Sequence, residues 1–350
     1  MVANFGGRLK SARKMAGLSM EDLVQKSRSV VTKQAIGKYE KGLMNPSSDV
    51  LMELSRVLEV KPDYFFRSPT IKVSDLEFRK KSTLRARERE IIKHKTLDFL
   101  ERYAEIEEIL GARVSFKNPI PRKNRQVRHL SDVERATIIL REKWNLGTAP
   151  ISNLIETLEY KGMRIFEIET SEKFNGISAW SDSTPVIAVR AQDELVRKRF
   201  TIAHELGHVL LEFLDTDNPK TLEKRCHDFA GAFLLPEVVI KAELGEHRDR
   251  IALMELQKLK GIYGISIQAI MHRAERLGII SAYTYRKFCI MVNQMGWKKK
   301  EPGSYERKEK ANRFKQLVYH AAAEEVITFS RAAELLNVPL SEFREIQIVS

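Results

Sequence analysis

The sequence predicts a multidomain chain of mixed class: an all-helical N-terminal domain, a central α+β domain with a small sheet, and a mostly helical C-terminal region. Three observations lead there. The chain has 350 residues, more than the roughly 250–300 over which a single core usually extends. Residues 5–66 place apolar side chains at helical spacing, punctuated by capping residues and glycines. Two short apolar runs at 163–168 and 186–189 read as strands, and long helical patterns follow them.

Composition narrows the class of protein. A hydrophobic fraction of 43% with 31% charged residues describes a folded globular chain and excludes a disordered one. No stretch approaches the ~20 apolar residues of a membrane helix, and the N-terminus enters a charged amphipathic pattern without a secretory signal. Two cysteines, Cys226 and Cys289, exclude a disulfide scaffold and a four-cysteine zinc site, so a cytoplasmic location is expected. The net charge is +13, and residues 1–128 hold 28 Lys+Arg against 16 Asp+Glu, leaving the other 222 residues nearly neutral. A basic first third on a neutral body is the footprint of a polyanion-binding arm.

The first domain, 1–67, reads as four short helices. Phe5, Leu9, Ala12 and Met15 share one face until Gly17 stops the pattern, and Ser19 then caps a helix with Glu21 and Asp22 in its first turn. Thr32 caps a third helix, 33–41, and Val50, Leu51, Leu54 and Leu58 line a fourth after the turn at Asn45-Pro46. Exposed Thr32, Lys33, Gln34 and Lys38 at the start of the third helix suit a major-groove reader, while Tyr39 on its back suits the core. The segments 18–23, 31–42 and Asn45-Pro46 resemble the Xre/Cro-type helix-turn-helix of phage and bacterial repressors. Met20 stands where that family usually has a phosphate-contacting Gln, and Gly37 where it usually has Ser or Thr. The resemblance implies a double-stranded DNA operator as partner.

The connector, 68–128, is basic at Arg79-Lys80-Lys81, Arg85, Arg87, Arg89 and Arg122-Lys123-Asn124-Arg125. Helix formers from 84 to 110 predict one long helix with an apolar face, ended by Gly111, and Asn118-Pro119-Ile120-Pro121 predicts an extended link. This helix would add phosphate contacts, form a homodimer, or act as a spacer.

The chemistry sits in 129–245. Residues 176–180 suggest a further strand before a turn at Asp182-Ser183-Thr184-Pro185. The helix after it contains His204-Glu205-Leu206-Gly207-His208, with Phe200, Ala203, Leu206, Leu210 and Leu211 on its apolar side. Histidines four apart project from one helix face and can meet one Zn²⁺. Glu205, rotated about 100° from His204, falls beside such a metal, where it can act as a base toward an activated water. Gly207 admits close approach of another backbone. A third ligand is required: Glu212 cannot converge from the same helix, whereas Asp215, Asp217, Glu223, His227 and Cys226 remain open on spacing alone. The strand at 186–190 would accept an extended peptide as an added strand.

Segment 199–208, followed by 223–230 and Leu234-Leu235-Pro236, resembles the ImmA/IrrE-type metallopeptidase family over about 140–290. The resemblance implies an α+β zincin-like peptidase fold, zinc held by His204, His208 and Glu223, and Glu205 as general base. His227 stands where that family usually has Asn, which leaves it to the metal shell or to the scissile carbonyl. The region 246–350 is mostly helical: 249–280 resembles the helix-turn-helix-like support of the same family, and 327–343 repeats its flavour after Trp297. His247, His272 and His320 are expected in core or surface positions. The whole sequence points to a DNA-binding transcriptional regulator carrying a zinc endopeptidase that cleaves a repressor-type protein, itself or a partner. A regulator with a sensory or silent zinc pocket, or an antitoxin-like binding protein, is the alternative.

Overall fold

The computed structural model describes residues 5–67, 77–78, 85–214, 218–298 and 300–345. The expected ligand candidates Asp215 and Asp217 and the basic run Arg79-Lys80-Lys81 lie outside the described residues. The chain divides into two compact units: Met1–Leu76, Lys80–Arg113 and Phe314–Ser350 in one, Glu77–Arg79 and Val114–Arg313 in the other.

The first unit opens with α1 (Phe5–Met15), α2 (Met20–Lys26), α3 (Lys33–Glu40) and α4 (Ser48–Leu58). Their starts follow the caps. The Ser19 hydroxyl accepts from the Asp22 amide while the Asp22 carboxylate accepts from the Ser19 amide, a reciprocal cap. Thr32 Oγ1 accepts from the Ala35 amide at 3.1 Å. Leu9, Ala12, Leu23, Ile36 and Leu54 are fully buried, and Tyr39 joins them as expected. Beneath them Arg13 forks onto Glu40 at 2.6 and 2.9 Å and donates to the Leu18 carbonyl, pinning α1 to α3 and to the turn before α2. The long helix of the connector is α5 (Ala86–Ile109), with Ile92, Leu100, Tyr103 and Ile106 buried.

In the second unit the sheet has the order β1-β3-β4-β2, from β1 (Glu77–Phe78), β2 (Arg164–Ile168), β3 (Gly176–Ser181) and β4 (Thr184–Arg190). Strands β3 and β4 form a hairpin whose turn is made by Asp182, at φ 52°, and Ser183, so Thr184 and Pro185 already belong to the strand. β2 lies parallel to β4, and β1 runs antiparallel to the outer edge of β3 at Ala179 and Trp180. All of β4 but its last residue is buried, which is why Pro185–Val189 is an unbroken apolar run instead of an alternating one.

Helices α6 (Leu130–Lys143), α7 (Leu154–Tyr160), α8 (Leu195–Leu210), α9 (Pro219–Leu234), α10 (Glu237–Leu244), α11 (Leu253–Tyr263), α12 (Ile267–Arg276) and α13 (Ala282–Gln294) complete this unit. Its core joins Ile187 and Val189 of β4 to Ile202 and Leu206 of α8 and Phe229 and Phe233 of α9. The expected link at 118–121 is packed onto the unit: Ile120 is fully buried and Asn118 Nδ2 donates to the Leu210 carbonyl at 2.9 Å. The first unit closes with α14 (Arg313–Ala323), α15 (Phe329–Leu336) and α16 (Leu340–Glu345), where Phe314 stacks on Tyr103 at 5.3 Å.

Candidate metal centre

Helix α8 carries His204, Glu205 and His208, and three devices fix it. Its stripe of Ile202, Ala203, Leu206 and Leu210 is buried against sheet and helices. Its N-terminal half is anchored by Arg199, 1% exposed, whose guanidinium pairs with Glu309 and donates to the carbonyls of Ile151, Tyr263 and Gly264. Two glycines then let neighbours approach. A Cβ on Gly207 would lie 3.1 Å from the Phe229 ring and 3.5 Å from Cys226 Cα, so α9 crosses closely there. A Cβ on Gly176 would lie 2.5 Å from Thr201 Cγ2 and 3.4 Å from Glu205 Cγ, so the start of β3 presses on the Thr201–Glu205 stretch of α8.

Helix α9 supplies the third group. Asp228 is held by a two-pronged pair with Arg276 of α12 at 3.0 and 2.8 Å, which sets the rotation of α9 about its axis. Glu223, five residues earlier and so turned about 140° round the axis from Asp228, then faces α8. Its Oε2 lies 3.1 Å from His204 Nε2, its Oε1 lies 3.6 Å from His208 Nε2, and the two Nε2 atoms are 3.2 Å apart. On its other side His208 Nδ1 contacts Cys226 Sγ at 3.4 Å, which orients the ring so that Nε2 points inward. The two imidazoles hold the Glu223 carboxyl well below the usual carboxylate range, His204 first.

The donor atoms fit a metal. Two imidazole nitrogens and a carboxylate are a borderline-soft set suited to zinc. Bonds of about 2.0–2.1 Å in tetrahedral geometry put ligand atoms ~3.3 Å apart, and the observed 3.1, 3.2 and 3.6 Å straddle that edge length. Nitrogens this close, both buried with their residues at 8% and 7% exposure, are poorly served by protons alone. Among the described residues His204, His208 and Glu223 are the one group of three or more such side chains whose ligand atoms converge.

The remaining expected residues fall as follows. Glu205 is buried beside His204 and outside the converging trio. His227 is also outside it: the residue is exposed, while its ring lies between Phe200 at 5.7 Å and His204 at 4.4 Å. Burial of that ring, with His204 beside it, pushes the His227 imidazole down to about 4. Cys226 is fully buried and touches His208 without joining the trio. Thr32, Lys33, Gln34 and Lys38 are all exposed on α3, with Lys33 paired to Glu21 of α2. His247 and His320 are exposed and His272 packs beside Tyr285 at 5.8 Å.

One expectation fails. The strand at 186–190 does not offer a free edge to a peptide, because β4 is interior, paired to β3 on one side and β2 on the other. A run of apolar residues marks a strand as buried, and a buried strand is the one whose backbone groups are already taken. The strand bordering Glu205 on the outside is β3. Two supporting residues also escape the sequence reading. Arg199 falls on the same stripe as Ala203, Leu206 and Leu210, and a cation on an apolar stripe is a legible sign of a buried partner. Glu309 lies in an irregular stretch with no periodicity to mark it.

Comparison with protein families agrees on two segments. Residues 9–65 match the helix-turn-helix family, and residues 158–275 match the peptidase family described as the IrrE N-terminal-like domain. Neither the curated proteins nor the solved structures gave a match. No helix among the described residues is long and apolar enough to cross a membrane. The chain therefore joins an Xre-type helix-turn-helix, a DNA-binding module of transcription regulators, to a metallopeptidase-like domain of the IrrE/ImmA type.

Proposed function

We propose that the chain is a cytoplasmic DNA-binding regulator whose second unit is a zinc-dependent endopeptidase cutting a repressor-type protein, this chain or a partner. The observation that carries the reading is the convergence of His204, His208 and Glu223 with Glu205 next to them on α8. The two histidines would hold zinc through Nε2 and Glu223 through its carboxylate. When bound, zinc supplies Lewis acidity at the scissile carbonyl and makes a water a stronger acid. Glu205 takes the proton of the attacking water and returns it to the leaving amine. His227, with its ring beside His204 and outside the trio, donates an N–H to the carbonyl oxygen as charge grows there.

The peptide enters along the edge of β3 away from β4, pairing at Gly176–Ser178, where β1 makes no pair among the described residues and Glu205 is close. In the first unit, Thr32, Lys33, Gln34 and Lys38 read an operator in the major groove of double-stranded DNA. The test is incubation of the metal-replete chain with repressors encoded beside its gene, with and without chelator, alongside Glu205→Gln. The expected result is cleavage that chelator abolishes and Glu205→Gln slows by about 10²–10⁴-fold with zinc still bound. A zinc-loaded Glu205→Gln protein with unaltered regulatory output would remove catalysis from the function.

A further inference from the structure

Three helices begin at one edge of the first unit. Glu21, in the first turn of α2, is paired with Lys33, the first residue of α3. Its neighbour Asp22 accepts from Arg87 Nη2 at 3.2 Å, and Arg87 Nε donates to the Gly17 carbonyl at 2.6 Å. Arg87 is the second residue of α5. The starts of α2, α3 and α5 are thus joined by two ion pairs around the turn at Gly17.

Packing holds α5 in that place. Gly17 stands at φ 67°, and a Cβ there would lie 2.6 Å from Ile91 Cδ1, so α5 rests directly on the turn. One turn further along α5, His94 Nδ1 and Ser11 Oγ of α1 are hydrogen-bonded at 2.8 Å, and Arg8 of α1 pairs with Glu101. The start of α5 has a fixed position beside the helix-turn-helix, and it is basic. Arg85, Arg87 and Arg89 are all exposed, and only Arg87 of the three is in an ion pair among the described residues. Arg85, the N-cap of α5, and Arg89 are four apart, so both lie at the start of the helix, about one turn from each other.

We propose that the first turns of α5 form a second DNA-contacting strip, in which Arg85 and Arg89 bind the phosphates of the duplex that α3 engages. The inference rests on the reading of α3 as the groove-facing helix. In that docking geometry the helix preceding the reader crosses the sugar–phosphate backbone, and α5 begins against the first turn of that helix. Guanidinium forks match phosphate oxygens, and the positive end of α5 adds to the attraction. Contacts of this kind carry no sequence information. The strip therefore strengthens and orients binding without choosing the operator, and it gives a use to the charge excess that extends past residue 67.

The test is fluorescence anisotropy of the full chain against a short DNA duplex of arbitrary sequence across a salt series. Replacing both residues, Arg85→Ala with Arg89→Ala, is expected to flatten the slope of log affinity against log salt by about 1.8, roughly 0.9 for each phosphate no longer neutralised. The paired Arg→Lys changes are expected to keep most of the slope, because a cation remains at each place. Both positions are exposed, so thermal melting of the variants should match the parent. An unchanged slope in the alanine variant, or a loss that lysine fails to restore, overturns the strip. If Lys33→Ala with Lys38→Ala still weakens binding in that case, the α3 reading stands alone; if it does not, the α3 reading falls as well.

Discussion

Glu223 holds its Oε2 3.1 Å from His204 Nε2 although the two residues are 19 apart in sequence and sit on different helices. Spacing within α8 can bring two histidines together, but only the crossing of α9 supplies an anionic third donor. The crossing depends in turn on Gly207 and on the Asp228–Arg276 pair.

Removing that donor should release the metal before it affects the fold. Glu223 is only part-buried, so Glu223→Gln leaves no buried charge behind. Zinc affinity is expected to fall by more than the 10–100-fold typical of residues that merely support a ligand. Competition titration against a chromophoric chelator reads this directly. Parental affinity in Glu223→Gln would take Glu223 out of the ligand set.

Close contact between β3 and α8 gives a second expectation. Gly176→Ala should cost about 1–3 kcal/mol, the usual range for overpacking, because the new methyl meets Thr201 Cγ2 at 2.5 Å. Thr201→Ser deletes that methyl. In combination with Gly176→Ala it should recover most of the loss, giving a coupling energy in a double-mutant cycle of denaturant melts. Additive effects would mean that the strand moves away instead of pressing on the helix.

Much of this arrangement is legible in the sequence because several local signals coincide. Ser19, Thr32 and Gly17 mark helix ends by their own chemistry, and each acts there as expected. On α8 the helical period and the His204–His208 spacing are the same period, so helix and site are read together. The position of Glu223 needs the resemblance to a family, since spacing leaves other donors open. What stays hidden depends on contacts far apart in the chain. The interior place of β4 is set by its partners β2 and β3, and an apolar run alone does not say which strand is outermost. Glu309, 110 residues beyond Arg199, has no local pattern to reveal it. Helix α6 has helical spacing in Val133, Ala136 and Leu140, but its N-cap is His129, not a Ser, Thr, Asp or Asn that would announce it.

A pH expectation comes from Glu159 on α7. The residue is 3% exposed; Oε2 accepts from the Arg313 amide at 3.3 Å, the Asn312 amide is also close enough to lower the group slightly, and Oε1 is buried without a hydrogen bond that meets the usual geometry among the described residues. Burial pushes this group up to about 7, with Glu167 nearby adding to the rise and Arg313 opposing it. A carboxyl raised in the folded state stabilises the fold fully below its unfolded value of 4.5 and loses that contribution as pH climbs through 7. The amount at stake is about 3 kcal/mol, spread between those two values. Glu159→Gln mimics the neutral form at every pH, so its stability relative to the parent should be flat at low pH and rise across this window. Urea melts of both proteins at matched pH give that difference and cancel the titration of every other group. A difference that stays constant from pH 4 to pH 8 would show that Glu159 is ionised in the folded protein at ordinary pH, with Oε1 solvated instead of buried.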